Sequence, residues 1–235
     1  MNISSRIAEN LQQVRQRIAD AAARAGRPAT DVRLLAVTKY VGPPLIRALV
    51  EAGCSELGES RPQQLWERAG VPLAPSPIHW HLIGHLQRNK VRRTLPLVAM
   101  IHSADSPRLV AELDAAAGEL GRRVPILLEV NISNEAAKHG FAADAVEPFL
   151  QQCDAYRNLE IRGLMGMAGL EGTLDDARRE FAALRRLRDR LRANCPDSVV
   201  LAELSMGMSG DYEVAIEEGA TIVRVGSALF EGLLP

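Results

Sequence analysis

A repeated change of pattern constrains this chain more than any other feature. From residue 34 onward, short apolar runs rich in Val, Ile and Leu alternate with longer amphipathic stretches. Runs at 34–38, 56–58, 78–83, 98–102, 126–131, 160–165, 199–204 and 222–225 read as strands, and stretches at 44–52, 106–120, 142–155, 174–192 and 211–218 read as helices. The runs are continuously apolar, as expected of parallel strands covered on both faces. Eight such units predict an α/β fold, a (β/α)8 TIM-type barrel, which typically takes about 250 residues. The 235 residues are therefore expected to form one domain, 1–235. A doubly wound open sheet competes. No G-x-G-x-x-G follows the first run, however, which removes the main signature of its dinucleotide-binding form. Ahead of the barrel, Ile3, Ile7, Leu11, Val14 and Ile18 recur at helical spacing, and Gly26-Arg27-Pro28 ends the pattern. Residues 1–27 are expected as an extra helix packed on the barrel.

Composition removes several partners. The net charge is −1 with no basic block, so nucleic acid is not expected. No apolar stretch approaches the roughly 18 residues of a membrane span. Cys54, Cys153 and Cys195 are far apart and in no C-x-x-C pair, which favours free thiols in the cytoplasm. The Arg-bearing amphipathic start has the character of a transit peptide, but Glu9 and Asp20 speak against that reading.

The chemistry centres on Lys39. The chain has 28 basic residues, and only Lys39, Lys90 and Lys138 among them are lysines. Lys39 sits at the end of the first predicted strand. A lysine can lose its proton when desolvated and attack a carbonyl, which an arginine cannot do. The plain alternative is a chance lysine at a strand end. In a barrel of this kind the active site lies at the C-terminal strand ends, and phosphate is often held by the loops after strands seven and eight. Those loops read Glu203-Leu204-Ser205-Met206-Gly207-Met208-Ser209-Gly210-Asp211 and Val223-Arg224-Val225-Gly226-Ser227-Ala228. Small residues leading into a helix let backbone N–H groups approach an anion, with the helix dipole adding to the attraction. An ordinary loop would instead use Ser209 as a helix N-cap. Arg224 is either a fixed cation beside these loops or a salt-bridge partner of Glu203. A phosphorylated aldehyde would use all the pieces, and pyridoxal 5′-phosphate (PLP) is the commonest such molecule.

Other residues are candidates too. Glu59 and Ser60 follow the second strand. His79 and His81 share one face of the third strand. With His102 they suggest a metal site, but later strand ends offer no further His. One of the pair is expected to line the pocket and the other to pack. Met165-Gly166-Met167 reads as an apolar pocket wall. Lys138 reads as a solvated loop lysine or a second aldehyde contact.

The motifs Leu-Leu-Ala-Val-Thr-Lys (34–39), Gly-Glu-Ser (58–60), His-Trp-His-Leu-Ile-Gly-His-Leu-Gln-Arg-Asn-Lys (79–90), Val-Asn-Ile (130–132), Arg-Gly-Leu-Met (162–165), Leu-Ser-Met-Gly-Met-Ser (204–209) and Val-Arg-Val-Gly-Ser (223–227) resemble the YggS/PROSC family of PLP homeostasis proteins. The resemblance runs from the N-terminal helix to the C-terminus. It implies a barrel similar to the alanine racemase N-terminal domain (PLP fold type III), with PLP bound as a Schiff base to Lys39. It also implies phosphate contacts from Ser209 and Gly226-Ser227 and a ring-nitrogen contact from Arg224. The full set expected around the cofactor is Lys39, Ser60, His81, Met165, Ser205, Met206, Ser209, Arg224, Gly226 and Ser227. Three departures from the family pattern stand out. Thr38 replaces Ser, Ser60 replaces an Asn expected to touch the cofactor, and Tyr40-Val41-Gly42 alters the rim.

Racemases of this fold draw one catalytic base from a second, β-rich domain, which is not expected here. An arginine at the ring nitrogen can only donate, so that nitrogen stays unprotonated and the ring is a weak electron sink. Both points favour a monomeric carrier or buffer of PLP that releases it to apo-enzymes, rather than an efficient enzyme. The alternatives, in order, are a PLP-dependent racemase or lyase of small amino acids, a cofactor-free Schiff-base aldolase, and a metal hydrolase built on His79 and His81.

Overall fold

The computed structural model describes residues 2–73, 77–133, 135, 139–169, 171–196 and 199–233. Lys138 lies outside the described residues. Eight parallel strands close into a barrel in chain order. They are β1 (Arg33–Val37), β2 (Glu56–Glu59), β3 (His79–Leu82), β4 (Met100–Ala104), β5 (Val124–Glu129), β6 (Leu159–Met165), β7 (Glu203–Ser205) and β8 (Ile222–Val225). The seam is made by β1 against β8, with Leu35 level with Arg224. Helices α1 (Ile3–Arg24), α2 (Pro43–Glu51), α3 (Pro62–Ala69), α4 (Val91–Thr94), α5 (Pro107–Leu120), α6 (Val146–Leu150), α7 (Leu174–Arg192) and α8 (Tyr212–Glu217) accompany them. No helix among the described residues is long and apolar enough to cross a membrane.

The sequence pattern explains the larger elements. Asn2 caps α1 by accepting from the Ser4 N–H, and Ile7, Leu11, Val14 and Ile18 are buried as one stripe. Burying each such side chain contributes about 1.5–3 kcal/mol. That stripe packs on α2, α8 and the final 3₁₀ turn, Ser227–Phe230. The Asn10 amide donates to Leu229 O (3.2 Å) and Glu231 O (3.1 Å), tying the start of the chain to its end. A reciprocal capping box between Thr173 and Asp176 starts α7.

Two elements differ from expectation. The seventh strand is Glu203–Ser205, later and shorter than the run at 199–204. Val199 and Leu201 are buried, but pairing with β6 starts only at Glu203 opposite Gly163. There the backbones come so close that a Cβ on residue 163 would lie 1.9 Å from Glu203 O. The expected helix at 142–155 is instead a short α6 flanked by 3₁₀ turns at Ala143–Ala145 and Cys153–Ala155. Pro148 within it lacks an N–H for helix bonding.

Most of the core lies between helices and sheet. A second apolar cluster, Leu35, Met100, Leu127, Met165 and Ile222, fills the barrel interior. The interior also carries buried polar groups, with His81, His102, Ser205 and Arg224 all within a few per cent of complete burial.

Candidate functional site

The C-terminal strand ends surround a cavity of about 600 Å³. Its wall includes Lys39, Ser60, Ser209, Arg224, Gly226 and Ser227. Thus six of the ten side chains expected around a cofactor meet in one place.

Lys39 stands on a clamped turn. Arg68 of α3 donates to Thr38 O (2.9 Å) and Val41 O (2.7 Å), and it pairs with Glu59 at the end of β2. The Thr38 hydroxyl also donates to Glu59, and Val41 N donates back to Thr38 O at 3.0 Å. The backbone on both sides of Lys39 is therefore held. The Lys39 ammonium rests 4.8 Å from the centre of the Tyr40 ring, which is largely exposed. Such a contact is worth about 0.5–1 kcal/mol and is easily given up.

The two small-residue loops meet beside the β1–β8 seam that carries Lys39. Gly226 N donates to Ser209 Oγ at 3.0 Å, joining the β7 and β8 loops. The β7 loop turns at Gly207 with φ +90°, and a Cβ there would lie 2.6 Å from Ala215 Cβ. Only glycine fits that turn. Asp211 accepts from Met208 N (2.5 Å), so Asp211 rather than Ser209 organises the entry to α8. Because α8 has six residues and Ser227 opens only a 3₁₀ turn, these loops offer hydroxyls and backbone N–H groups more than a helix dipole.

Arg224 of β8 is 3% exposed and forms the cavity floor. It donates from one terminal nitrogen to Ser205 Oγ (2.8 Å) and from the other to Gly166 O (3.0 Å). Burial lowers its pKa to about 10 against the pull of Asp211 and Glu129, so it stays cationic at neutral pH. It is not a partner of Glu203, which pairs with Arg33 at 3.1 Å toward the other end of the barrel. Beneath Arg224 the polar contacts continue inward. Ser205 Oγ lies 2.9 Å from His102 Nδ1, His102 Nε2 lies 2.9 Å from His81 Nδ1, and His81 Nε2 lies 2.8 Å from Glu56 Oε2.

His81, Met165, Ser205 and Met206, also expected around a cofactor, are not among the residues that line this cavity. His81 and Ser205 point into the barrel one layer too deep, and Met165 packs in the interior apolar cluster. Met206 follows Ser205 on the opposite face and is buried under the helices. A metal site on His79, His81 and His102 is also not supported. Both ring nitrogens of His81 and of His102 are engaged, and the exposed His79 pairs with Glu56.

Several lining residues carry no role in the sequence reading, among them His85, Glu129, His139 and Phe230, while Tyr40 stands at the rim as expected. Glu129 is the most consequential. It ends β5, and burial pushes its carboxyl up to about 7, with Asp105 adding to the rise and Arg224 and His85 opposing it. A lone carboxylate within the apolar run Ile126-Leu127-Leu128-Glu129-Val130 was the available signal. At the rim, His85, Asp105 and His139 bring possible ligand atoms within 4.8 Å of one another. Their imidazoles are stacked at 4.3 Å, and His85 Nδ1 is 2.9 Å from Asp105 Oδ2.

Comparison with known proteins places this geometry. A family model described as alanine racemase, N-terminal domain, matches residues 6–234. A pyridoxal phosphate homeostasis protein of Aquifex aeolicus is 38% identical over 222 residues, covering 94% of this chain and 96% of its own. The structure of PipY from Synechococcus elongatus with PLP bound superposes with a TM-score of 0.83 at 35% identity, covering 95% of this chain and 99% of PipY. Alanine racemase from Bartonella henselae, with covalently bound pyridoxal phosphate, has a TM-score of 0.71 at 13% identity. This chain is covered to 97% and that enzyme to 58%, a likeness of fold alone.

Proposed function

From the premise that the chain belongs to the family of alanine racemase N-terminal domains, we propose that it binds PLP reversibly at Lys39 and serves PLP homeostasis as a carrier or buffer. The observation that carries this reading is the meeting of an amine, a guanidinium and a hydroxyl-lined loop pair in one cavity of about 600 Å³. The donor set fits the cofactor group by group. Lys39 supplies the primary amine that holds the aldehyde carbon. Ser209, Ser227 and the backbone of Gly226 supply small, hydrogen-bonding surroundings for the phosphate. Arg224 faces the ring nitrogen, and Ser60 stands at the cavity wall. When bound, PLP supplies an electrophilic aldehyde that amines capture and exchange.

What the residues do favours holding over turnover. Arg224 is a cation without an acceptor, so it fixes the ring nitrogen as the acceptor and keeps a proton off it. The clamp by Arg68 and Glu59 sets the root of Lys39 and leaves its amine at the cavity wall, where an incoming amine could exchange with it. Relatives named homeostasis proteins fit the same reading. On this reading PLP passes to apo PLP-dependent enzymes in the cytoplasm, and the carrier works as a monomeric barrel.

The test is the visible spectrum of purified protein after incubation with PLP, beside Lys39→Ala, before and after borohydride. The expected result is a yellow protein with cofactor fixed on Lys39 by reduction, and a variant without either property. A wild type that stays colourless overturns the reading. One observation favours a second reading, a racemase or lyase of small amino acids. Glu129 is a buried carboxyl in the same cavity, poised near neutrality to take a proton. That reading requires Glu129-dependent exchange of an amino acid's α-hydrogen for deuterium at ordinary enzyme rates of about 1–10³ per second.

A further inference from the structure

We propose that Glu56, His81, His102 and Ser205 form a one-way hydrogen-bond relay through the barrel interior that holds Arg224 as a donor at the ring nitrogen of bound PLP. They act as positioning residues, and the proposal rests on the PLP reading of the cavity above them.

The ends of the relay set its direction. A guanidinium has five donors and no acceptor, and a carboxylate has acceptors only. Glu56 remains a carboxylate because hydrogen bonds from His81 and His79 hold its pKa at about 2. Between these ends lie four contacts of 2.8, 2.9, 2.9 and 2.8 Å. A neutral imidazole has one donor and one acceptor, and a serine hydroxyl has one hydrogen to give. With both imidazoles neutral, one arrangement uses them all. His81 donates from Nε2 to Glu56 and accepts at Nδ1. His102 donates from Nε2 to His81 and accepts at Nδ1. Ser205 donates to His102 and turns a lone pair to Arg224. Burial keeps His102 well below its ordinary pKa, with the guanidiniums of Arg224 and Arg33 pushing the same way, so it stays neutral.

The consequence falls on Arg224. With its hydrogen committed to His102, Ser205 Oγ can only accept from the guanidinium. Gly166 O accepts from the other terminal nitrogen. Two acceptors thus pin the guanidinium in orientation. If the relay were reversed, Ser205 Oγ would accept from both His102 and Arg224, and its own hydrogen would be left without a partner among these groups. An apolar filling of this layer would avoid the desolvation of two imidazoles, and a saturated network is the form in which such burial is tolerated. The neighbouring charges are accounted for. Arg33 pairs with Glu203, and His79 donates to the other Glu56 oxygen at 2.6 Å.

The experiment is ¹⁵N-detected NMR of the histidine rings in the full apo chain, together with the visible spectrum of the PLP-loaded chain. In the apo protein His102 is expected as the neutral, Nε2-protonated tautomer. Glu56→Leu, at the far end from the cavity, is expected to redistribute the His102 tautomer and shift the visible band of the loaded protein. His79→Gln should do neither. Ser205→Ala, which removes only a hydroxyl, provides a second cut and should speed PLP loss roughly tenfold, the scale of one hydrogen bond to a charge. An Nδ1-protonated His102 in the wild type, or a Glu56→Leu variant with unchanged His102 signals and an unchanged band, overturns the proposal. A chain that never takes up PLP sinks the cofactor reading instead, while the apo signals still report on the relay.

Discussion

Removing the charge at Glu129 should make the protein more stable at high pH and leave it nearly unchanged in acid. The carboxyl is 6% exposed, and its pKa rises from the ordinary 4.5 to about 7 through burial first and Asp105 second. A raised acid binds its proton more tightly in the folded chain than in the unfolded one. Between pH 4.5 and 7 the folded state therefore holds more protons, and stability falls as pH rises through that window. With those two pKa values, the penalty from Glu129 grows from about 1 kcal/mol at pH 5 to about 3 kcal/mol at pH 8. Glu129→Gln keeps the shape and removes the titration. Urea unfolding of both apo proteins at pH 5, 6, 7 and 8 measures the difference directly. It should widen with pH by about 2 kcal/mol across this range. A difference that stays constant with pH would show that Glu129 titrates as an ordinary carboxyl, and the account of the cavity's electrostatics would fail.

Other perturbations follow from the same geometry. Arg224→Met removes the donor proposed to face the ring nitrogen and should weaken PLP binding at least roughly tenfold in an absorbance titration; unchanged affinity would exclude Arg224 as a contact. Thr38→Val leaves the buried Glu59 with one donor fewer and should cost about 1–3 kcal/mol in denaturant unfolding, whereas the family's own choice, Thr38→Ser, should be nearly neutral. At Gly84 a Cβ would lie 2.2 Å from Ser60 O. Gly84→Ala should therefore displace the Ser60 wall and lower the melting temperature, and a variant with wild-type melting and PLP affinity would contradict that packing.

The barrel was legible because its strands are buried on both faces and its helices on one, so burial alone writes the alternation into the chain. Lys39, Ser209, Arg224, Gly226 and Ser227 were legible because they sit at strand ends, where the topology itself gathers them. Legibility failed where depth mattered. Alternation along β3 and β7 says that His81 and Ser205 face inward, but not that they lie a layer below the cavity, because depth is set by strand stagger around the closed barrel. Glu129 was passed over since the run around it is as apolar as any core strand. The late start of β7 depends on Gly163 admitting Glu203, a contact between residues 40 positions apart that no local pattern reveals.

The seam between β1 and β8 has a consequence for synthesis. Lys39 leaves one side of it and Arg224, Gly226 and Ser227 belong to the other, so the two ends of the proposed PLP seat are almost 190 residues apart in the chain. A nascent polypeptide carrying the amine alone has nothing to hold the phosphate or the ring, and a chain whose last strand has not docked is equally incompetent. Uptake of PLP thus reports that the barrel has closed. Mass action then works in return, since a ligand bound only by the closed form draws the last strand home and resists its departure.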